Sequence, residues 1–272
     1  MSTIFITGST DGLGRALAFR LAADGHELIL HGRDADRLAQ VTDEVARRGK
    51  PARSVVADLA DLQQVRRLAA QVREVADGLD VFVSNAGIGS GEPDGVDRRV
   101  SADGYELRFA VNYLAGFALT IELLPLLLAG PPARIVNVAS LGQHPLDFDD
   151  LMLEHHYDGS RAYAQSKLAQ IMSGFELADR LPARELTVNS LHPGTYMPTK
   201  MVLQSIGRSV DSLEVGVESV RRLAISGDLQ GVTGRFYDRM REERAADQAY
   251  DRKARAELWR RSLELTGLSD PF

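Results

Sequence analysis

Short apolar runs alternate with longer amphipathic segments from the start of the chain. The runs TIFITG (3–8), ELILH (27–31) and SVVAD (54–58) are each followed by a segment with apolar residues at helical spacing. Continuous apolar runs of this length are typical of strands buried on both faces, and the amphipathic segments are typical of helices that cover a sheet. The pattern therefore predicts repeated strand–helix units and a parallel sheet.

The same alternation continues to the end of the chain. The run DVFVSN (80–85) precedes a long helical pattern around 102–129, and further strand patterns lie at 134–140, 186–194 and 233–239. No repeat or low-complexity linker interrupts them. We predict an α/β Rossmann-type fold: a doubly wound parallel sheet of about seven strands, three αβα layers, and a single domain over residues 1–272.

Composition narrows the class of protein. The net charge of -6 gives no reason to expect a nucleic-acid partner, and the absence of cysteine excludes disulfides and thiolate metal sites. His155 and His156 are adjacent without carboxylates at ligand spacing, so no metal site is predicted. The chain opens without a signal-peptide pattern, and the apolar stretch 114–130 contains Glu122 and Pro125. We expect a cytoplasmic protein without a membrane anchor.

A glycine-rich turn follows the first strand. In TGSTDGLG, three glycines allow a tight turn and a close backbone approach, and the helix that follows offers free N–H groups to a phosphate. A purely structural turn is the alternative reading. The candidate cofactor-binding residues are Gly8, Ser9, Thr10, Asp11, Gly12, Leu13 and Gly14.

The residues after the second strand bear on the choice of nucleotide. Folds that bind NAD often place an acidic residue here, on the ribose 2′-hydroxyl. This chain has Gly32 at that place, followed by Arg33, whose guanidinium can pair with a 2′-phosphate. Asp34 is equally suited to cap the next helix. We predict NADP(H), with NAD(H) as the alternative.

Two further strand ends carry candidate cofactor contacts. Asp58, followed by Leu59, closes the third strand, where its carboxylate can accept from an adenine amino group or cap the next helix. The fourth strand ends in SNAG, where Asn85 offers polar contacts, and Ala86 and Gly87 allow close approach.

Tyr163 and Lys167 lie four residues apart in RAYAQSKLAQ (161–170). If this stretch is helical, both side chains lie on one face. Alone, such a pair is ordinary on a helix surface. Its neighbours along the chain decide how it is interpreted.

Six motifs occur in order: TGSTDGLG, SNAG, VNYLAGF with Asn112, VNVAS with Ser140, YAQSK and HPG. Together they resemble the short-chain dehydrogenase/reductase family, and the likeness covers nearly the whole chain. The long segment between Ser140 and Tyr163, with DFDDL (147–151), and the stretch 255–267 are most similar to its retinol-dehydrogenase-like branch.

The resemblance implies a nicotinamide cofactor and a catalytic tetrad of Asn112, Ser140, Tyr163 and Lys167. Lys167 would lower the pKa of Tyr163 and bind the nicotinamide ribose, Ser140 would hold the substrate oxygen, and Asn112 would anchor a water. After Pro193 and Gly194, the threonine that contacts the nicotinamide is ambiguous between Thr195 and Thr199.

The implied activity is NADP(H)-dependent interconversion of a carbonyl and an alcohol. Hydride comes from the nicotinamide and the proton from Tyr163. The alternatives are an epimerase or dehydratase on the same fold, and a non-catalytic cofactor-sensing module. The resemblance suggests a homodimer or homotetramer through the helices that contain Asn112 and Tyr163. Candidate substrate contacts, whose mix suggests a small to medium lipophilic substrate, are Leu141, Gln143, Tyr196, Met197 and Met201.

Overall fold

One eight-stranded sheet forms the centre of the molecule, in the strand order β3-β2-β1-β4-β5-β6-β7-β8. The computed structural model describes residues 1–91, 97–130, 132–199, 202–203 and 207–272. The strands are β1 Thr3–Ile6, β2 Glu27–Gly32, β3 Arg53–Val56, β4 Val81–Ser84, β5 Ala133–Val138, β6 Leu186–His192, β7 Arg235–Asp238 and β8 Arg241–Glu243. The main helices are α1 Gly12–Ala23, α2 Ala35–Ala46, α3 Leu62–Val75, α4 Leu107–Leu128, α5 Gly159–Arg180, α6 Leu213–Ile225 and α7 Arg252–Thr266.

The strand order confirms the predicted doubly wound sheet. All neighbouring strands from β3 to β7 pair in parallel, and the chain reverses its direction of travel between β1 and β4. The structure adds β8, which pairs antiparallel with β7. This strand has only three residues, too short to show a period in the sequence.

Helices cover both faces of the sheet. Helices α1, α2 and α6 pack on one face, and α3, α4 and α5 pack on the other. The aromatic rings of Phe5 in β1 and Phe82 in β4 stack at 5.3 Å inside this second layer. Both neighbouring central strands thus contribute to one core. Helix α7 lies further out, against α5.

Helix α4 is the most apolar helix of the fold. It is long and apolar enough to cross a membrane by length and composition, but 67% of its most apolar window is buried inside the molecule. A π-helical turn, Ala110–Leu114, interrupts it and carries Asn112. Such turns displace one residue from the regular hydrogen-bond ladder and are frequent at functional sites.

Candidate active site

The predicted site residues gather at the carboxyl edge of the parallel strands. Gly8, Asn85, Ser140 and Pro193 follow β1, β4, β5 and β6 respectively. Parallel strands end at the same edge, and the crevice beside the reversal between β1 and β4 is where such sheets bind ligands.

The glycine-rich turn after β1 packs backbone against backbone. A methyl group on Gly14 would stand 2.1 Å from the carbonyl oxygen of Gly8 and 2.5 Å from Nδ2 of Asn85. Gly8 has φ +68°, and a methyl there would stand 2.9 Å from Cα of Ala86. The Asn85 amide donates to the carbonyl oxygens of Thr7 and Gly8. Only glycine fits these two positions, so the turn keeps the open cradle that a diphosphate requires.

The side chain of His31, in β2, holds the backbone of this turn. The sequence analysis had not identified His31 as a site residue. Its Nδ1 accepts from the backbone N–H of Gly8 at 3.1 Å, so its Nε2 carries the proton and donates to the carbonyl oxygen of Ala57 at 3.1 Å. Burial lowers the pKa of His31 to about 4, which keeps the ring neutral. The sequence offered only a histidine at a strand end as a signal.

The end of β2 has no room for an acidic side chain. A methyl group on Gly32 would stand 2.4 Å from Cγ2 of Thr10, which fills that place. Arg33 is exposed, and Asp34 is the N-cap of α2, where it accepts from the N–H of Arg37. Arg37 is also exposed and lies 3.4 Å from the carboxylate of Asp11. The Arg37 guanidinium therefore borders the glycine-rich turn, and the sequence had pointed only to Arg33.

The strand end at Asp58 is organised by local hydrogen bonds. Asp58 Oδ1 accepts from the N–H of Ala60, and the cap of α3 is Asp61. Asp58 thus does not cap the helix, the alternative role considered for it. Leu59 is buried in the core, with only its backbone at the edge.

Lys167 is buried at the end of β5. Its Nζ donates to the carbonyl oxygen of Val138 at 2.8 Å and lies 3.4 Å from Oε1 of Gln170. A methyl group on Gly87 would stand 3.5 Å from this Nζ, so the ammonium is next to the turn after β4. Burial lowers the pKa of Lys167 to about 8.

Tyr163 lies on the same face of α5, as the four-residue spacing predicts. Lys167 Nζ is 5.9 Å from the centre of its ring, and its phenol is hydrogen-bonded with Ser140. Burial raises the pKa of Tyr163, and the hydrogen bond with Ser140 opposes this rise. The lowering of the Tyr163 pKa expected from Lys167 is therefore not seen in the protein alone, where desolvation by burial dominates.

Asn112 ties three elements together beside this pair. Its Oδ1 accepts from the N–H of Ile88, and its Nδ2 donates to the carbonyl oxygen of Ile88 and to Oγ of Ser166. Ser166 in turn donates to the carbonyl oxygen of Tyr163. Helix α4, the turn after β4 and helix α5 are thereby joined next to Lys167.

The two candidate threonines after β6 differ in their contacts. The Thr195 hydroxyl is bonded to Nε2 of His192 and Nη2 of Arg239, each at 3.1 Å. Thr199 lies against the glycine-rich turn, because a methyl on Gly12 would stand 3.0 Å from its Cγ2. Thr199 is therefore the threonine beside the glycine-rich turn, and Thr195 belongs to an ion-pair cluster.

Some of the candidate substrate-binding side chains are exposed, and others are engaged in contacts within the protein. Leu141 and Tyr196 are 45% and 44% exposed at the sheet edge. Gln143 instead bridges two segments, because its amide donates to the carbonyl oxygen of Ser140 and accepts from the N–H of Ala246. Met197 is buried in the core beside α1 and α6. Gln143 and Met197 therefore serve the structure, and Met201 lies outside the described residues.

A cluster of buried charged side chains lies between the turn after β4 and the segment that precedes Tyr163, which we call the substrate side of the sheet edge. The sequence analysis did not identify this cluster. Arg108 donates to the carbonyl oxygens of Gly89 and Ser90 and to the hydroxyl of Tyr157 at 2.7 Å. That hydroxyl donates to Glu106 at 3.0 Å, and Arg108 and Glu106 are both fully buried. The cluster fixes the turn after β4 to the segment that precedes Tyr163. An arginine five residues before Tyr113 in an apolar helix was its only signal.

Comparison with known proteins agrees with this geometry. Residues 2–207 match the short chain dehydrogenase family. Human retinol dehydrogenase 13 is 32% identical over 290 residues, covering 99% of this chain and 86% of that protein. A Streptomyces sp. (strain C5) protein named "Putative daunorubicin C-13 ketoreductase DnrU" is 34% identical over 282 residues, covering 97% and 92% respectively.

Solved structures show the same fold. A protein from Mycobacterium paratuberculosis superposes with a TM-score of 0.79 at 27% identity, covering 100% of this chain and 96% of that one. A Shigella flexneri short-chain dehydrogenase complexed with NADP superposes with a TM-score of 0.70 at 25% identity, covering 87% and 96%.

The fold, the site and these relatives define an NAD(P)-dependent oxidoreductase that acts on CH–OH and C=O groups. The chain belongs to the short-chain dehydrogenase family and is similar to the retinol dehydrogenases. The predicted class of protein is thus confirmed, and the relatives' names favour it over the epimerase and cofactor-sensing alternatives.

Proposed function

We propose that this protein is an NADP(H)-dependent reductase of lipophilic ketones or aldehydes. The observation that carries the proposal is the convergence of Ser140, Tyr163 and Lys167 beside the glycine cradle between β1 and β4. The nicotinamide, when bound, supplies the hydride chemistry that no side chain can provide.

The proton chemistry follows from the contacts of Tyr163. Ser140 Oγ and the Tyr163 phenol are hydrogen-bonded, so a carbonyl oxygen that binds between them accepts from both. Tyr163 then donates its proton to the oxygen of the forming alcohol, and the Lys167 ammonium stabilises the phenolate that remains. The reverse sequence oxidises an alcohol, with the phenolate as the base.

Three features of the β2 end support NADP(H). Gly32 leaves no carboxylate to hold a 2′-hydroxyl or repel a 2′-phosphate, because Thr10 fills the space. Arg33 and Arg37 are exposed at the same end, where guanidinium groups bind phosphate well. We further propose that Thr199, rather than Thr195, contacts the cofactor.

Fluorescence titration with NADPH and NADH tests the cofactor assignment. We expect NADPH to bind about tenfold tighter or more, and Arg33→Ser to remove most of that preference without affecting NADH. Arg47→Ser, an exposed arginine at the far end of α2, is the matched control. Equal binding of both cofactors by the wild type would contradict the NADP(H) proposal.

The catalytic proposal is tested by carbonyl reduction with NADPH. The panel has three carbonyl compounds. All-trans-retinal and daunorubicin follow the names of the relatives, and benzaldehyde is a small aromatic compound for comparison. Tyr163→Phe should lower kcat by about 10²- to 10⁴-fold and leave NADPH binding within about twofold. Tyr105→Phe, whose hydroxyl donates to the carbonyl oxygen of Leu265 in α7, is the control. Full turnover by Tyr163→Phe would refute the mechanism.

The substrate class is proposed from exposure as well as from the relatives. Leu141 and Tyr196 present apolar surface beside Ser140 and after β6, and both remain available to a ligand. We expect the larger, lipophilic carbonyls of the panel to give the higher kcat/KM. A preference for benzaldehyde would contradict this part of the proposal.

Helix α7 bears on the oligomeric state. It covers the outer side of the helices that were expected to form a homodimer or homotetramer: Trp259 packs edge-on against Phe117 at 5.1 Å, and Ser262 bonds Tyr113 at 2.6 Å. We propose that α7, by covering α4 and α5, prevents these two helices from forming a subunit interface. Sedimentation velocity at several concentrations should show a monomer, and a dimer that survives dilution would contradict this.

A further inference from the structure

Gln170 lies one helical turn after Lys167 on α5 and is only 4% exposed. A buried primary amide costs free energy unless both its donor and its acceptor are paired. The Gln170 amide lies between Ser84 at the end of β4 and Lys167, so each of its polar atoms has a partner.

The orientation of the Gln170 amide is determined by Ser84 at the end of β4. Nε2 of Gln170 lies 3.2 Å from the carbonyl oxygen of Ser84 and 3.4 Å from its Oγ. A backbone carbonyl oxygen only accepts, so the NH₂ group must face Ser84. The amide oxygen is therefore directed at Lys167 Nζ, 3.4 Å away.

We propose that Gln170 is a positioning residue that holds the Lys167 side chain and stabilises its ammonium form. An ammonium group has three donors. Val138 and Gln170 accept two of them from the core side, and the third is left for the cofactor side, where Gly87 keeps the approach open. The inference rests on the role of Lys167 in the proposed reaction.

Lys167 is buried among neutral groups, so each hydrogen-bond acceptor near its Nζ contributes to stabilising the ammonium form. Strand β5 contributes the Val138 carbonyl, α4 contributes the neutral Asn112, and Tyr163 is the titratable group on the same helix. No ion pair to Lys167 occurs within the described ranges, and burial alone shifts its pKa downward. On the far side of Gln170, Tyr113 shares a cavity of about 20 Å³, and burial raises the pKa of its phenol, so it stays neutral.

The Gln170 contact affects proton distribution between Lys167 and Tyr163. Lys167 Nζ lies 5.9 Å from the centre of the Tyr163 ring. An acceptor on Lys167 favours the arrangement with an ammonium and a phenolate over the arrangement with a neutral amine and a phenol. Gln170 thus increases the fraction of active base at a given pH.

The test measures the titration of Lys167 directly. The chain has four lysines, Lys50, Lys167, Lys200 and Lys253, so ¹³Cε-lysine labelling gives a short NMR spectrum in which Lys167→Arg identifies the signal. We expect Gln170→Met to lower the Lys167 midpoint by about one pH unit and Gln170→Glu to raise it. Ser173→Ala, which lines the same cavity, should leave it unchanged.

A structural role alone would predict a different result. If Gln170 only filled space, Gln170→Met would leave the Lys167 midpoint in place, and that outcome would overturn the proposal. Gln170→Glu raises the midpoint through its charge in either case, so it tests whether residue 170 faces Lys167 Nζ, and an unchanged midpoint in this variant would also overturn the proposal. Thermal unfolding of each variant verifies that it is folded, and if Gln170→Met is unstable, Gln170→Leu repeats the removal of the amide with a different apolar side chain. Because neither cofactor nor substrate is added, failure of the proposed reductase activity would not affect this readout.

Discussion

The cofactor side and the substrate side of the sheet edge differ in what fixes their loops. On the cofactor side, the turns after β1 and β4 touch through backbone atoms, and Gly14 leaves no space for even one carbon between Gly8 and Asn85. On the substrate side, the guanidinium of Arg108 joins the turn after β4 to Tyr157 through buried hydrogen bonds.

This difference has a physical consequence. The close packing at Gly8 and Gly14 leaves no room for a side chain, and Asn85 and His31 hold the turn by hydrogen bonds to its backbone, so the shape of this turn is fixed. A buried ionic cluster depends on desolvated groups that must all be paired. Residues around the Arg108 cluster can therefore be substituted, provided that the buried charged groups keep their hydrogen-bond partners. The three predictions below test this division.

The largest effect should come from Gly14→Ala. The added methyl would overlap the Gly8 carbonyl and the Asn85 amide, so we expect a loss of about 3 kcal/mol in the free energy of unfolding. NADPH binding should fall with it. Gly78→Ala is the control, because a methyl there meets nothing within 4 Å. If Gly14→Ala is as stable as Gly78→Ala in urea unfolding, the cofactor side is not held by backbone contact.

Tyr157→Phe should produce a smaller effect that is confined to the substrate side. The variant removes the hydroxyl between Arg108 and Glu106 while the ring remains. Hydrogen bonds to charged groups contribute about 1.5–3 kcal/mol, so we expect kcat/KM to fall about tenfold. NADPH titration should be unchanged within about twofold. An equal loss of cofactor affinity would show that the two sides are not independent.

The smallest effect should appear as a pH dependence on the cofactor side. His31 has a pKa of about 4 when folded and near 6.5 when unfolded, so between these values only the unfolded state binds the proton. Its contribution to stability is therefore complete above about pH 6.5 and is lost as the pH falls towards 4, at up to about 1.4 kcal/mol per unit.

Urea unfolding of the wild type and His31→Gln between about pH 7 and about pH 5 measures this contribution. The stability difference between the two proteins should change with pH, in favour of the variant at lower pH. His144→Gln, a substitution of an exposed histidine, is the control. A difference for His31→Gln that stays constant over the pH range would contradict the buried neutral imidazole.

The cofactor side could be predicted from the sequence to a large extent. The strand and helix order, the glycine turn and the relation of Tyr163 to Lys167 all depend on local spacing, which a sequence displays directly. His31 was missed because its role needs Ala57, which is distant along the chain and adjacent only in the sheet.

The substrate side could be predicted less well. Gln143, Met197 and Thr195 follow the right strands, but their side chains turn towards Ala246, the core and Arg239. Those partners come from segments about 40 to about 100 residues away, and long-range pairing leaves no periodic pattern in a sequence. Gln170 was not recognised for the same reason, because from the sequence alone its side chain could equally have faced solvent.

The bond between Tyr113 and Ser262 spans 149 residues of the chain and supports the π-helical turn that carries Asn112. A long loop must close before such a contact can form, and this closure costs entropy, so we expect the contact to form late in folding. During refolding, the contacts between the glycine-rich turn and Asn85, which span 77 and 78 residues, should therefore be able to form before the π-helical turn is supported. Recovery of NADPH binding should accordingly precede recovery of turnover.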